Sequence, residues 1–213
     1  MSMSDQKTMW NKNHAENVHA SMLGKPQKFA VEVAPNVKPN MKLLELGCGV
    51  GSDAAYFAEH GIHVTATDFS DVVIEQNKVR DKKPNLTFEV VDISQPLPYE
   101  SNSFNVVYAH LSLHYYNEAT TSDVFKEIAR VLKPGGMLFF SCKSVHDPLY
   151  GQGDEVEPGV FDRNGHIRHF FSVEYTKKLL AADFEAEKIS EVEDVYDGFT
   201  SAFVQVWAKK KGR

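Results

Sequence analysis

Leu43-Leu44-Glu45-Leu46-Gly47-Cys48-Gly49-Val50-Gly51 is the stretch on which the reading of this chain turns. Leu43 to Leu46 is an apolar run with one acid in it, the pattern of a strand buried between two layers of helix. Glycines then hold every second position, 47, 49 and 51. Ser52-Asp53-Ala54-Ala55-Tyr56-Phe57-Ala58 follows as a helix with Ser52 or Asp53 near its start. Strand, glycine turn and helix together bring a ligand against bare backbone at the edge of a parallel sheet. Glycine permits the left-handed torsions of such a turn and removes the side chain that would hold a ligand off.

Spacing separates the two common forms of this turn. The dinucleotide fingerprint G-x-G-x-x-G has Gly or Ala in its sixth place. Here that place is Ser52, and the third glycine comes one residue early, at Gly51. The string Glu45-Leu46-Gly47-Cys48-Gly49-Val50-Gly51 instead resembles the E/D-x-G-x-G-x-G turn of class I S-adenosylmethionine (SAM)-dependent methyltransferases. In that family the turn wraps the amino-acid end of the cofactor.

The strands downstream agree. Ile62-His63-Val64-Thr65-Ala66-Thr67-Asp68 alternates, is β-branched, and ends in an acid. Asp68 lies at about the 20-residue offset from the glycine turn at which a carboxylate meets a ribose. A carboxylate can accept from both ribose hydroxyls at once. The alternative, capping the helix at Ser70-Asp71-Val72-Val73-Ile74-Glu75-Gln76, suits Ser70 better by position. Leu86 to Ile93 forms a third strand and closes on Asp92. By the resemblance, Asp92 accepts from the adenine amine and Ile93 packs on the ring. Ser103-Phe104-Asn105-Val106-Val107-Tyr108-Ala109-His110 is strand four, with Asn105 where the family carries an acid. The next residues, Leu111-Ser112-Leu113, depart from the D/N-P-P-Y/F of enzymes that methylate exocyclic base amines. Ala129-Arg130-Val131-Leu132-Lys133-Pro134-Gly135-Gly136 resembles the family's junction between an amphipathic helix, Asp123 to Leu132, and a fifth strand from Met137. The resemblance runs in order over roughly residues 41 to 142. It implies SAM as cofactor and Glu45, Gly47, Cys48, Gly49, Gly51, Asp68, Phe69, Asp92, Ile93 and Ala109 as its binding set.

Composition limits the partners. A chain of 213 residues, 42% hydrophobic and 24% charged, has room for one sizeable core. Its net charge of −6 gives no broad basic face for nucleic acid. The basic tail Lys209-Lys210-Lys211-Gly212-Arg213 reads as a solvated end. No apolar run reaches the ~20 residues of a membrane span, and the start lacks a secretory pattern. Two cysteines, Cys48 and Cys142, point to reduced thiols in a cytoplasmic protein.

The expected fold is a Rossmann-like, doubly wound α/β sheet of seven mostly parallel strands. Its order is 3-2-1-4-5-7-6, with an antiparallel last strand. One methyltransferase domain spans residues 1–213. Residues 1–38 form a helical cover, broken near Gly24-Lys25-Pro26, with Trp10, His14 and Val18 on one face. That cover either closes over the ligands or merely packs on the body. Residues 41–142 hold SAM, 143–171 form a substrate-side insertion too rich in glycine and proline for a long element, and 172–209 finish the sheet. The last part comprises a helix, Ser172 to Ala182, and strands near Phe184–Ile189 and Ala202–Ala208.

Methyl transfer depends mainly on alignment, with a base needed only for a protonated nucleophile. The acceptor-side candidates are His110 and His114 after strand four, and His166 and Arg168 in the insertion. His146, Asp147 and Tyr150 lie nearby in sequence. No spacing supports a metal site. If extended, residues 166–171 set His166, Arg168 and Phe170 on one face. This segment is loosely similar to the substrate side of tellurite- and thiopurine-type methyltransferases. Arg168 is then the residue to hold an anionic or oxygen-rich small-molecule acceptor, the alternative being a plain salt bridge. Other readings of the chain are a protein or RNA methyltransferase, a catalytically silent SAM-binding module, and a nicotinamide-dependent oxidoreductase.

Overall fold

The computed structural model describes residues 3–16, 20–196 and 198–212. Val18, expected on the face of Trp10 and His14, lies outside the described residues. The N-terminal part is helical in pieces: α1 (Met3–Ala15), a single turn at Ala20–Met22, α2 (Lys28–Val33) and a turn at Ala34–Asn36. Alternating units follow: β1 (Lys42–Leu46), α3 (Ser52–Glu59), β2 (His63–Asp68), α4 (Asp71–Arg80) and β3 (Leu86–Val90). Then come β4 (Phe104–His110), α5 (Glu118–Val131) and β5 (Leu132–Lys143). Three short strands, β6 (Asp154–Glu157), β7 (Val160–Arg163) and β8 (His166–His169), precede α6 (Val173–Leu180). A long hairpin of β9 (Phe184–Tyr196) and β10 (Phe199–Lys210) ends the sheet.

The main sheet has the order β3-β2-β1-β4-β5-β10-β9, parallel up to β5, with β10 antiparallel to both its neighbours. This is the expected 3-2-1-4-5-7-6. Alternation along the central strands sorts side chains to two cores. Leu44, Val107 and Phe140 pack with α5 residues Phe125 and Ile128, while Leu43, Tyr108 and Phe139 pack with Phe57, Ile74 and Phe29. Burial on both faces explains why β1 reads as an apolar run and not as an alternating one. No helix of the described residues is long and apolar enough to cross a membrane.

Several details differ from the sequence reading: α5 starts at Glu118 instead of Asp123, and β3 stops at Val90, short of Asp92 and Ile93. Pairing in β5 begins at Leu132, five residues earlier than expected, and passes through a register shift opposite Phe104–Val106, where Gly135 takes a φ of 74°. The segment 143–171 is a second sheet of order β6-β7-β8. Its glycines make turns instead of irregular chain. Asn164 and Gly165, at φ 56° and 82°, form a two-residue hairpin joining Arg163 to His166.

Candidate functional site

The order of the sheet reverses between β1 and β4, and ligands in open α/β sheets bind at that reversal, beyond the carboxyl ends of the strands. A cavity of about 860 Å³ lies there. Its floor is the glycine turn. Gly47, Gly49 and Gly51 all have positive φ. A Cβ built on Gly49 would meet nothing within 4 Å, so the backbone here faces open space. One built on Gly47 would collide with Ser112, whose hydroxyl donates to the carbonyl of Leu46 at 2.5 Å. Gly51 sits behind the turn against Asn77 and Phe88 and serves as the left-handed N-cap of α3.

Three carboxylates wall this end. Asp68, at the tip of β2, accepts from Gly49 N at 2.8 Å through one oxygen and from Ser70 N at 2.9 Å through the other. Ser70 caps α4 with its hydroxyl, and Asp68 lines the cavity. Asp53, in the first turn of α3, accepts from Gln27 N at 2.7 Å and from the Tyr108 hydroxyl at 2.8 Å. Burial pushes its pKa up to about 6, against those two hydrogen bonds. Glu45 is buried, and its Oε2 has no hydrogen-bond partner. Desolvation, then the charges of Asp53 and Asp68, raise its pKa well above the carboxylate range. An orphaned buried carboxylate oxygen between two more acids is a site that a cation would complete. Sequence reading assigned Asp53 only to a helix start; its burial beside Tyr108 depends on α2 folding over it.

Cys48, Phe69, Val91 and Ile93 complete the wall. Asp92 is not part of the lining, and its Oδ1 accepts from Ser94 N at 3.0 Å and Ser94 Oγ at 2.6 Å. Ala109 is fully buried in the sheet and does not line the cavity either.

The roof is α1, through Gln6, Met9, Trp10, Asn13 and His14. It is tied to the start of α4: Asn11 donates to Asp71 at 2.7 Å and accepts from Ser70 Oγ at 2.7 Å. Ser52 Oγ binds Met22 O and Gly24 N and fastens the following turn over α3.

The far end of the cavity brings His110, His114, His166 and Arg168 together from β4, its following loop and β8. Burial lowers the pKa of His110 to about 3, and burial with the Arg168 charge lowers that of His166 to about 4. His114 is 1% exposed, and neither ring nitrogen has a hydrogen-bond partner. Burial first, then Lys143 and Arg168, keep its imidazole neutral. The Tyr115 ring lies 4.3 Å from that of His114, tilted by 34°, 5.4 Å from Trp10 and 5.2 Å from His166. The aromatic rings next to His166 in the cavity are therefore Tyr115 and Trp10. Phe170, expected there, packs instead on Phe161 and Tyr150 outside the cavity. Leu111, at φ 55°, holds the strained position that turns the chain into this loop.

Lys143 was missed by the sequence reading. It ends β5, donates to Asp147 at 2.7 Å and to Ser201 at 2.8 Å, and lines the same end. A lysine closing the otherwise apolar run Met137–Cys142 at a strand's carboxyl end was the available signal. Among the described residues no group of His, Cys, Asp and Glu is arranged to hold a metal ion.

Comparison with known proteins agrees with this geometry. A family described as a methyltransferase domain matches residues 44–140. A glycine/sarcosine/dimethylglycine N-methyltransferase of Actinopolyspora halophila is 32% identical over 180 residues, 81% of this chain and 30% of that protein. A phosphoethanolamine N-methyltransferase of Triticum aestivum is 36% identical over 107 residues, 49% of this chain and 22% of that one. The chain thus spans less than a third of the length of either relative. A crystal structure of a SAM-dependent methyltransferase from Methanosarcina mazei superposes with a TM-score of 0.74 at 23% identity, covering 85% of this chain and 98% of that one.

Proposed function

The chain belongs to the class I SAM-dependent methyltransferases, and on that premise we propose that it transfers the methyl group of SAM to a small-molecule acceptor. The observation that supports this best is the orphaned oxygen of Glu45 in a wall of three acids beneath an open glycine turn. SAM supplies a methyl group on a sulfonium together with an amino-acid ammonium, and both charges suit that wall. Glu45 and the backbone of Gly47–Gly49 hold the amino-acid end, Asp68 the ribose, and Val91 and Ile93 the adenine. Asp92 reaches the adenine amine only through the carboxylate oxygen that Ser94 leaves unused.

At about 860 Å³ the cavity is near the upper end of the ~300–1,000 Å³ of small-ligand sites. That leaves room for an acceptor beside the cofactor, against the aromatic and cationic end. The relatives' names, N-methyltransferases of small amines, support the same class of acceptor. The net charge of −6 favours it over RNA. Free, buried Cys48 and Cys142 accord with a cytoplasmic setting.

Calorimetry should show saturable binding of SAM and of S-adenosylhomocysteine and none of NAD or NADP. Labelled SAM should pass its methyl to a member of a small-molecule panel. Nicotinamide binding without SAM binding would overturn the family's cofactor here; binding without transfer to any acceptor would leave a SAM-binding module.

The acid wall also predicts a pH dependence. A raised pKa means the folded protein holds its proton more firmly than the unfolded chain. Asp53 therefore favours folding below its unfolded pKa, and that contribution is lost as pH rises through about 6. A bound cation reverses the preference and stabilises the ionised form. SAM binding should release protons near pH 6, and its affinity should rise between pH 5 and 7. Calorimetry in buffers of different ionisation enthalpy reads this directly, and proton uptake on binding would place the carboxylates away from the cofactor.

A further inference from the structure

The two ends of the cavity carry opposite charge. Glu45, Asp53 and Asp68 lie at one end and Lys143 and Arg168 at the other, while the exposed Arg163, which donates to Gln152, also lines the cavity. Lys143 and Arg168 are not equivalent. Lys143 is paired with Asp147, whose side chain is fully buried and also accepts from Ala202 N at 3.0 Å. The Arg168 side chain has no hydrogen bond or ion pair among the described residues. It pairs through its backbone with Phe161 on β7, and its neighbours in the cavity are Lys143, His114, His166 and Tyr115. None of these can balance a guanidinium, and Lys143 repels it.

A half-buried guanidinium with all its donors unused is a costly arrangement unless a ligand completes it. Its planar fork matches the paired oxygens of a carboxylate or a phosphate. His114 adds a second requirement. A neutral imidazole offers one N–H donor and one acceptor nitrogen, and both are buried without partners. Beside His114 lies Tyr115, which meets Trp10 edge-on.

Resting on the methyltransferase reading above, we infer that the acceptor is a small organic anion, a carboxylate or a phosphate monoester, whose charged end is held by Arg168 and whose uncharged polar group meets His114. The acid wall works in the same direction. It repels an anion from the cofactor end and so fixes which way round the acceptor enters.

The test uses the full chain, labelled SAM and matched pairs of compounds: amino acids and hydroxybenzoates with their carboxamides, and phosphoethanolamine with ethanolamine. At least one anionic member should be methylated, with kcat/KM tenfold or more above its uncharged partner. Turnover of the acids alone, or of the phosphate alone, identifies the anion. Arg168→Gln should lower kcat/KM for the anion about 10- to 100-fold, erase the discrimination, and leave the Kd for SAM unchanged; Arg168→Lys should restore part of it. His114→Phe should raise KM for both members of a pair. Equal use of uncharged partners, or discrimination that survives Arg168→Gln, overturns the inference. If no member is methylated, saturation-transfer NMR on the S-adenosylhomocysteine-loaded protein reads binding of the same pairs, and absence of a preference for anions overturns it equally. A protein that binds neither SAM nor S-adenosylhomocysteine fails at the cofactor reading instead.

Discussion

Gly47→Ala is expected to lower stability by about 2–5 kcal/mol and to abolish SAM binding. Two costs combine. Alanine at a φ of 76° takes on the ~1–2 kcal/mol of a left-handed residue. Its methyl group would also fall far inside contact with the Cβ of Ser112, a rigid neighbour and not the end of a flexible side chain. Overpacking of that kind costs ~1–3 kcal/mol. Moving Ser112 breaks its bond to Leu46 O and disturbs the loop that carries His114. For a chain of this length the loss corresponds to roughly 4–20 °C in Tm. Gly49→Ala separates the two roles of the turn. Nothing lies within 4 Å of its would-be Cβ, so only the torsional cost applies, and the methyl group projects into the space proposed for the cofactor. Thermal melts and calorimetry on the pair should show a strongly destabilised Gly47→Ala and a nearly native Gly49→Ala that binds SAM poorly. A native melting temperature for Gly47→Ala would show that the loop after β4 yields without cost.

The main sheet was legible because its signals are local. Apolar runs, β-branched alternation and the glycine turn each act within a few residues, and parallel order follows from the alternation of strand and helix. Asp68 and its neighbours were legible for the same reason: they sit at strand ends a fixed distance from the turn. The far end of the cavity was only partly legible. His114, Lys143, Arg168 and Trp10 come from a loop, two strands and a helix that are distant in sequence, and no spacing links them. The β6–β8 sheet had a usable signal, Asn164-Gly165 between two short apolar-containing runs. Counting glycines and prolines across 143–171 obscured it, since each breaker there punctuates a hairpin. Side-chain direction was the remaining gap. Alternation placed Phe170 with Arg168, and Phe170 does pack on Phe161, the residue paired with Arg168 across the strands, yet it stays outside the cavity that Arg168 lines.

Asp68→Ala should weaken SAM binding by two to four orders of magnitude, more than loss of the other strand-end acid, Asp92. The carboxylate is proposed to accept from two ribose hydroxyls, each charge-assisted bond contributing ~1.5–3 kcal/mol. It also accepts from Gly49 N and so holds the second glycine of the turn in place. Removing it therefore takes away ligand contacts and loosens the cradle together. Asp92→Ala should cost less, about one to two orders, because Ser94 already occupies one of its oxygens and a single bond to the adenine amine remains. Asp68→Asn isolates the charge. The amide keeps the shape and one acceptor oxygen, but its NH2 can accept from neither Ser70 N nor a ribose hydroxyl, so its Kd should fall between wild type and Asp68→Ala. Circular dichroism and thermal melts come first, since Asp68 also accepts from Ser70 N at the start of α4. A folded Asp68→Ala protein with unchanged SAM affinity would remove Asp68 from the ribose. The three acids would then act only through their charge.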